Sequence, residues 1–369
     1  MVDLKGQYEK IKAQVDAGIQ EVIDSTTFIK GGKVVEFQRH LEEYLKVKHV
    51  IPVGNGTDAL QIALMALGLQ PGDEVIAPTF TFIATAEVIA LMQLTPVLVD
   101  VDPYTFNITP DAFRKAITPQ TRAVIPVHLF GQNAAMEELL QIAAEHNIFV
   151  VEDACQSIGA HYTFSDGRVV QSGCMGNIGC TSFFPSKNLG CFGDGGALFT
   201  NNDQMAQRIR SIANHGMETR YYHDHIGVNS RLDSIQAAIL DVKLSYLDTY
   251  IDARKQAAAY YDKAFAGHPS LRIPARQTDS EHVFHQYTLQ LVNVDRNQLI
   301  DHLKSKGVPA MVYYPVPVHQ QKAYRSERYS DGDFPVAEQL SASVLSLPMH
   351  TELSLRQLEH ITQSVLNFF

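Results

Sequence analysis

A chain of 369 residues, 45% hydrophobic and 19% charged, has an ordinary globular composition and length for about two domains. Its net charge of −10 and lack of any Lys/Arg-rich block argue against a nucleic-acid footprint, without forbidding a local pocket for a phosphorylated ligand. The opening MVDLKGQYEKIKAQ lacks a signal-peptide core, no stretch is long and apolar enough for a membrane span, and Cys155, Cys174, Cys180 and Cys191 form no CxxC pair, so a cytoplasmic protein with reduced thiols is expected.

The spacing of Tyr8, Ile11, Val15, Ile19, Val22 and Ile23 predicts a helix over 5–24. After the loop FIKGGK, a second amphipathic helix carries Val34, Val35, Phe37, Leu41, Tyr44 and Leu45. The two read as an arm, residues 1–45, ahead of a main domain. From His49 strands and helices alternate. HVIPV leads to a helix opened by GNGTDAL; the strands EVIAPTF, TPVLVDVD, RAVIPVHLFG and IFVVEDAC follow, separated by the helices TAEVIALMQ, DAFRKAI and MEELLQIAAEHN. Short β-branched runs such as VLVDV suit strands buried on both faces, which predicts a mainly parallel sheet covered by helices in a large α/β domain, 46–250. ALFT then reads as a strand, DQMAQRIRSIANHG as a helix, and SIQAAILDVKLSYLDTYIDARKQAAAYYDKAF as one long helix bridging two domains. A linker-like PSLRIPARQTDSEH opens a smaller α+β domain, 251–369. It has strands HQYTLQLV and AMVYYP, a helix RNQLIDHLKSKG, and helices near 336–345 and 354–367.

Several stretches carry chemistry. GNGTDAL, 54–60, is a glycine loop between strand and helix, where free N–H groups and the Thr57 hydroxyl suit an anion such as phosphate. It also imitates a dinucleotide fingerprint through Gly54, Gly56 and Ala59, but no acidic residue ends the next strand, and a plain structural turn is the alternative. In PTFTFIATAE either Phe80 or Phe82 could stack on a flat ligand, or both could be core. In VVEDACQS, Asp153 ends a buried parallel strand, where open α/β sheets place ligands. It could pair with a cationic ring nitrogen, with Gln156 donating to a ring oxygen, or it could cap the next helix. TSFFPSKNLGCFGDGGA sets a single lysine, Lys187, among Phe183, Phe184, Pro185 and four glycines. Partial burial there would lower its pKa and free the amine as a nucleophile toward a carbonyl; a tight turn with a solvated lysine is the bland reading. No HExxH occurs among the fifteen scattered histidines, so no metal site is expected. The set matches the needs of pyridoxal 5′-phosphate (PLP): anion site, stacking ring, carboxylate and lysine.

Together GNGTDAL, PTFTFIATAE, EDACQS, TSFFPSKNLGCFGDGGA and GVNSRLDSIQAA resemble the DegT-type nucleotide-sugar aminotransferases, and the resemblance runs from DLKGQY to LSLPMH. It implies a PLP-dependent transferase of fold type I, with a mainly parallel seven-stranded sheet sandwiched by helices and a smaller C-terminal domain. It also implies residue roles. Lys187 would bind the cofactor covalently and shuttle protons, and Asp153 would face the pyridinium nitrogen. Gln156 would lie beside the ring oxygen and Phe82 would stack on the ring. Gly56, Thr57 and Ser182 would hold the phosphate, with Asn229 reaching across from a second subunit. Arg231 would be a cross-subunit contact to the sugar nucleotide, and Tyr314 and His319 of VYYPVPVHQ would border the substrate. A homodimer with shared sites and ping-pong transfer follows from the likeness, with glutamate as donor and a nucleotide-linked keto-sugar as acceptor. DLKGQY, FIKGG and SFFPSKNLGCFGDGGA look most like enzymes that aminate the 3-position, with UDP-2-acetamido-2-deoxy-3-oxo-glucuronate as the implied substrate, in bacterial surface-polysaccharide synthesis. Relatives that dehydrate sugars carry histidine in place of the lysine, so Lys187 speaks against that activity.

Overall fold

The computed structural model describes residues 1–369. Two helices come first. Helix α1 (Leu4–Ser25) starts at Asp3, whose carboxylate accepts the Gly6 amide at 2.8 Å, a side-chain cap for an otherwise orphan donor. Helix α2 (Gly32–Leu45) buries Phe37, Leu41 and Leu45 against Phe183, Leu189 and Phe199.

The sheet-building region then follows the alternation expected. In chain order it contains β1 (His49–Val53), α3 (Gly56–Leu67), β2 (Glu74–Pro78), α4 (Ala84–Leu91), β3 (Thr95–Val99), α5 (Pro110–Ala116), β4 (Thr121–Val124), α6 (Met136–His146) and β5 (Phe149–Asp153). A hairpin of β6 (His161–Thr163) and β7 (Val169–Gln171) precedes β8 (Ile178–Ser182), β9 (Gly196–Thr200) and α7 (Asp203–Ile212). Seven strands form one sheet in the order β1-β9-β8-β5-β4-β2-β3. Pairings from β3 through β8 are parallel, and β9 runs against both its neighbours. The mainly parallel seven-stranded sheet is therefore present. Its β2 and β9 are buried at every position, as strands covered on both faces must be.

The carboxyl ends of β2, β4, β5 and β8 open on the same side. Asp153 at the end of β5 lies opposite Cys180, two residues before the end of β8. Helix-covered parallel sheets bind ligands outside these ends because the connecting loops and helix N-termini converge there.

Beyond a hairpin of β10 (Met217–Thr219) and β11 (Tyr222–His223) come α8 (Ser234–Leu244) and α9 (Leu247–Phe265). The single long helix expected here is two helices. Ser245 donates its hydroxyl to the Val242 carbonyl at 2.7 Å, and Tyr246 leaves helical geometry at φ −107°, ψ 0°. The C-terminal region holds β12 (Leu271–Arg272), β13 (Tyr287–Leu291), α10 (Arg296–Ser305), α11 (Pro335–Ser343), β14 (Val344–Leu347) and α12 (Leu355–Leu366), with strand order β12-β13-β14. AMVYYP is not a strand: it contributes one bridge, Met311 to Ser346. Its place in the sheet is taken by VLSL, whose first two residues the helical periodicity had absorbed. Prolines at 309, 315 and 317 remove backbone donors at both ends of this stretch, which limits how far it can extend a ladder.

Candidate active site

A cavity of about 450 Å³ opens at the carboxyl ends of the central strands. Gly56, Thr57, Phe82, Asp153, Gln156, Ser182, Lys187 and Tyr314 all line it. Residues from distant parts of the chain thus converge on one hollow.

One end of the hollow is the N-terminus of α3. Asn55 caps that helix by accepting the Asp58 amide at 2.8 Å, which leaves the amides of Gly56 and Thr57 without a partner in the protein. Glycine is required at 56, because a Cβ there would stand 2.7 Å from Ser182 Cβ and 3.0 Å from Cys155 Sγ. Free amides, two hydroxyls and a helix N-terminus make this end a cradle for an anion.

The floor is Asp153, which is 6% exposed. Its Oδ2 accepts the Thr85 hydroxyl at 2.9 Å and its Oδ1 accepts the Cys155 amide at 3.2 Å. Two donors fix the carboxylate plane, so its charge is aimed rather than free to turn. Gln156 is equally constrained. Its Oε1 accepts the Phe130 amide at 2.8 Å and its Nε2 donates to the Tyr314 hydroxyl at 3.0 Å. That bond orders Tyr314, whose phenol pKa is pushed up by burial.

Structure also decides between the two phenylalanines of PTFTF. Phe80 is fully buried in core, while Phe82 is 54% exposed, lines the cavity and sits 6.1 Å from the Tyr314 ring. Only Phe82 offers a ring face to a ligand.

Lys187 reaches in from the turn after β8. It is partly exposed, but to the cavity. Burial of its amine pushes the ammonium pKa down, opposed by the Cys155 thiol and the Asp153 carboxylate. A lysine held this way keeps more of its amine unprotonated at neutral pH than one in bulk water, and so is more available to attack a carbonyl or take a proton.

Three candidate residues lie elsewhere. Asn229 and Arg231 flank Ser230, whose hydroxyl accepts the Gly54 amide at 2.9 Å and donates to Asp58 Oδ2 at 2.6 Å. Ser230 therefore faces the glycine loop from outside, and its two neighbours do not line this chain's cavity. His319 is buried, with Nδ1 2.9 Å from Thr79 Oγ1 and Nε2 3.1 Å from Glu338 Oε1. Both ring nitrogens are occupied, and His319 does not line the cavity. Sequence reasoning missed Thr85, in the first turn of α4 and in a stretch it had already singled out. It also missed His285, a cavity-wall residue whose Nδ1 has no partner and which no motif advertised.

Comparison with known proteins follows the same outline. The profile of the DegT/DnrJ/EryC1/StrS aminotransferase family matches residues 9–366. The chain belongs to this family. The aminotransferase is 44% identical to the UDP-2-acetamido-2-deoxy-3-oxo-D-glucuronate aminotransferase of Pseudomonas aeruginosa, covering 99% of each chain. It is also 44% identical to a pleiotropic regulatory protein of Geobacillus stearothermophilus, over 100% of this chain and 98% of the relative. Its fold is that of S. venezuelae DesV, solved in complex with a ketimine intermediate, at TM-score 0.95 and 39% identity over 100% of this chain and 97% of that one. NtdA of Bacillus subtilis, solved with bound cofactor PMP, matches at TM-score 0.88 and 31% identity, over 97% and 82%. The protein is a PLP-dependent nucleotide-sugar aminotransferase. Its cavity fits that cofactor, since a helix-end anion cradle, an exposed ring, an aimed carboxylate and a lysine of lowered pKa line one space. No helix is long and apolar enough to cross a membrane.

Proposed function

We propose that this aminotransferase moves an amino group from glutamate to the 3-position of UDP-2-acetamido-2-deoxy-3-oxo-glucuronate, for bacterial surface polysaccharide. The observation that carries the substrate is the end-to-end similarity to the P. aeruginosa enzyme of that name. Charge supports it. Lys30, whose pKa is lowered by burial and by nearby Arg231, puts two cations close together, suited to a diphosphate or a uronate carboxylate.

In this reading the first-turn amides of α3, with Thr57 and Ser182, hold the cofactor phosphate, and Phe82 covers the ring. Asp153 holds the ring nitrogen in its protonated form because an opposite charge in a low-dielectric site favours the cation. Bound PLP supplies an electron sink for the α-carbon of the donor. Lys187 would hold it covalently and, once the donor's amine has taken its place, the freed Lys187 amine would take the proton from the donor and return one to the acceptor. Gln156 and Tyr314 form the wall beside the ring oxygen. A homodimer in which Asn229 and Arg231 complete the neighbouring site is part of the proposal.

Asp153→Asn preserves the carboxylate's shape while removing its charge. The expected result is a kcat lower by roughly 10²- to 10⁴-fold, with Lys187 still labelled by the cofactor. Recovery of the wild-type rate on adding excess PLP would instead make Asp153 a structural residue. Substrate choice is checked with UDP- and dTDP-linked 3- and 4-keto-sugars, glutamate being the donor. The uronate should give the highest kcat/KM; a 4-keto or 6-deoxy sugar that outpaces it would overturn the assignment. A regulator reading has the name of the Geobacillus relative in its favour. It predicts no turnover on any sugar of the panel.

A further inference from the structure

Helix α8 carries a lysine that would ordinarily sit in water. Lys243 is 2% exposed. Its ammonium donates to the Gly190 carbonyl at 2.5 Å and stands 5.4 Å from the centre of the Phe192 ring. No carboxylate faces it. The charged and titratable groups around it are the Cys191 thiol on the turn and Arg254 on α9. Burial pushes its pKa down to about 8, with Cys191 opposing and Arg254 adding to the fall. Buried ammonium groups are costly without a counter-charge, so one retained here points to the bond it makes.

That bond falls on the turn that carries Lys187. Inside the turn, the Lys187 amide donates to the Phe184 carbonyl at 2.9 Å and the Cys191 amide to that of Phe183 at 2.8 Å. The coil is tight: a Cβ on Gly190 would come within 2.5 Å of the Pro185 carbonyl oxygen. Three bonds tie it to the rest of the protein. Asn188 Nδ2 donates to the Val283 carbonyl at 3.1 Å, the Phe192 amide donates to Gln236 Oε1 at 2.9 Å, and Lys243 holds Gly190. Two of these partners belong to α8 and are about two turns apart, hence on one face.

We propose that Lys243, assisted by Gln236, is a positioning residue that fixes the Lys187 turn against α8 and so sets where the Lys187 amine stands in the cavity. The inference rests on Lys187 being the cofactor-bearing lysine.

Lys243→Met keeps the stem's volume and removes the donor and the charge. Four measurements are made on it and on the wild type. Borohydride reduction of the PLP-loaded proteins and peptide mapping should label Lys187 in both; a label on another lysine in the wild type overturns the cofactor assignment and the anchoring role with it. The melting temperature should be no lower than that of the wild type, because an uncompensated ammonium is gone. In the cofactor-free proteins, amide exchange at Lys187 and Cys191 should be roughly 10-fold faster in the variant, with α8 itself unchanged. In the loaded enzyme kcat should fall by roughly 10- to 100-fold, while KM for the keto-sugar nucleotide stays within about threefold. Lys243→Arg, which keeps a charged donor, should restore most of that loss. With Lys187 labelled, unchanged exchange, an unchanged kcat, or a kcat loss that follows a drop in melting temperature overturns the anchoring role alone. If Lys243→Met does not fold, Gln236→Ala decides, since it cuts the second anchor and leaves the ammonium in place. Faster exchange at Phe192 with lower kcat upholds the proposal, and wild-type values for both overturn it.

Discussion

Lys187→Ala is expected to abolish amino transfer while leaving the fold intact. Two functions are lost together. One is covalent attachment of the cofactor; the other is the proton transfer at the donor and acceptor carbon, a type of step worth roughly 10²- to 10⁴-fold by itself. Stability should hold because the side chain is partly exposed to the cavity and its ammonium is disfavoured there by burial, while the Asp153 carboxylate it leaves behind keeps the Thr85 hydroxyl and the Cys155 amide as donors. The check is a glutamate-dependent assay beside a melting curve, with borohydride labelling of the cofactor as a third readout. Activity near the wild-type rate, or label on a different lysine, would remove Lys187 from the mechanism. Exogenous small amines offer a finer reading. If proton transfer is the larger loss, they should restore part of the rate in the variant, since a base can diffuse where the side chain stood.

How much of this was legible beforehand depends on how local the signal is. Asp153 could be placed because a carboxylate closing a β-branched run marks the end of a buried parallel strand, and β5 does end there. The glycine loop could be placed because its residues sit between a strand and a helix, and Gly56 does open α3. What joins Asp153 to Lys187 is not local. It is the lateral pairing of β5 with β8, across a hairpin that the pattern did not reveal. Phe80 and Phe82 were equivalent on paper, and only the packing against Phe106 and Phe130 sends the first inward. Two of the departures in secondary structure have named causes. Ser245 breaks a helical periodicity that runs on without it, and β14 follows α11 with no glycine or proline between them. Lys243 was invisible for a related reason: within ILDVKLSY it reads as a solvated helix lysine, and only the approach of the Gly190 turn makes it a buried one.

Two inactive variants, mixed, are expected to give an active protein. The first carries Lys187→Ala; the second carries Asn229→Ala with Arg231→Ala. The argument starts from Ser230, which turns toward Gly54 and Asp58 of its own chain and leaves the residues on either side facing another way. Just ahead of them the β10–β11 hairpin holds Tyr222 at 70% exposure, with Tyr221 at 75% in its turn and Ile226 at 90% beyond it. Apolar surface of that kind, rimmed by polar groups, is what a protein contact uses. If a second copy covers it, Asn229 and Arg231 meet the neighbour's cradle, and each site draws on both chains. A mixed dimer then has one site with both defects and one with none. Free exchange of equal amounts gives half mixed dimers, so about a quarter of wild-type activity should return. Each parent alone should stay inactive, the double variant chiefly through weaker binding of the phosphate and the sugar nucleotide. Exchange is followed with a fluorophore pair on the two proteins. Demonstrated exchange with no recovery would mean that each chain builds its site alone, and Asn229 and Arg231 would then be surface residues of the helix entry.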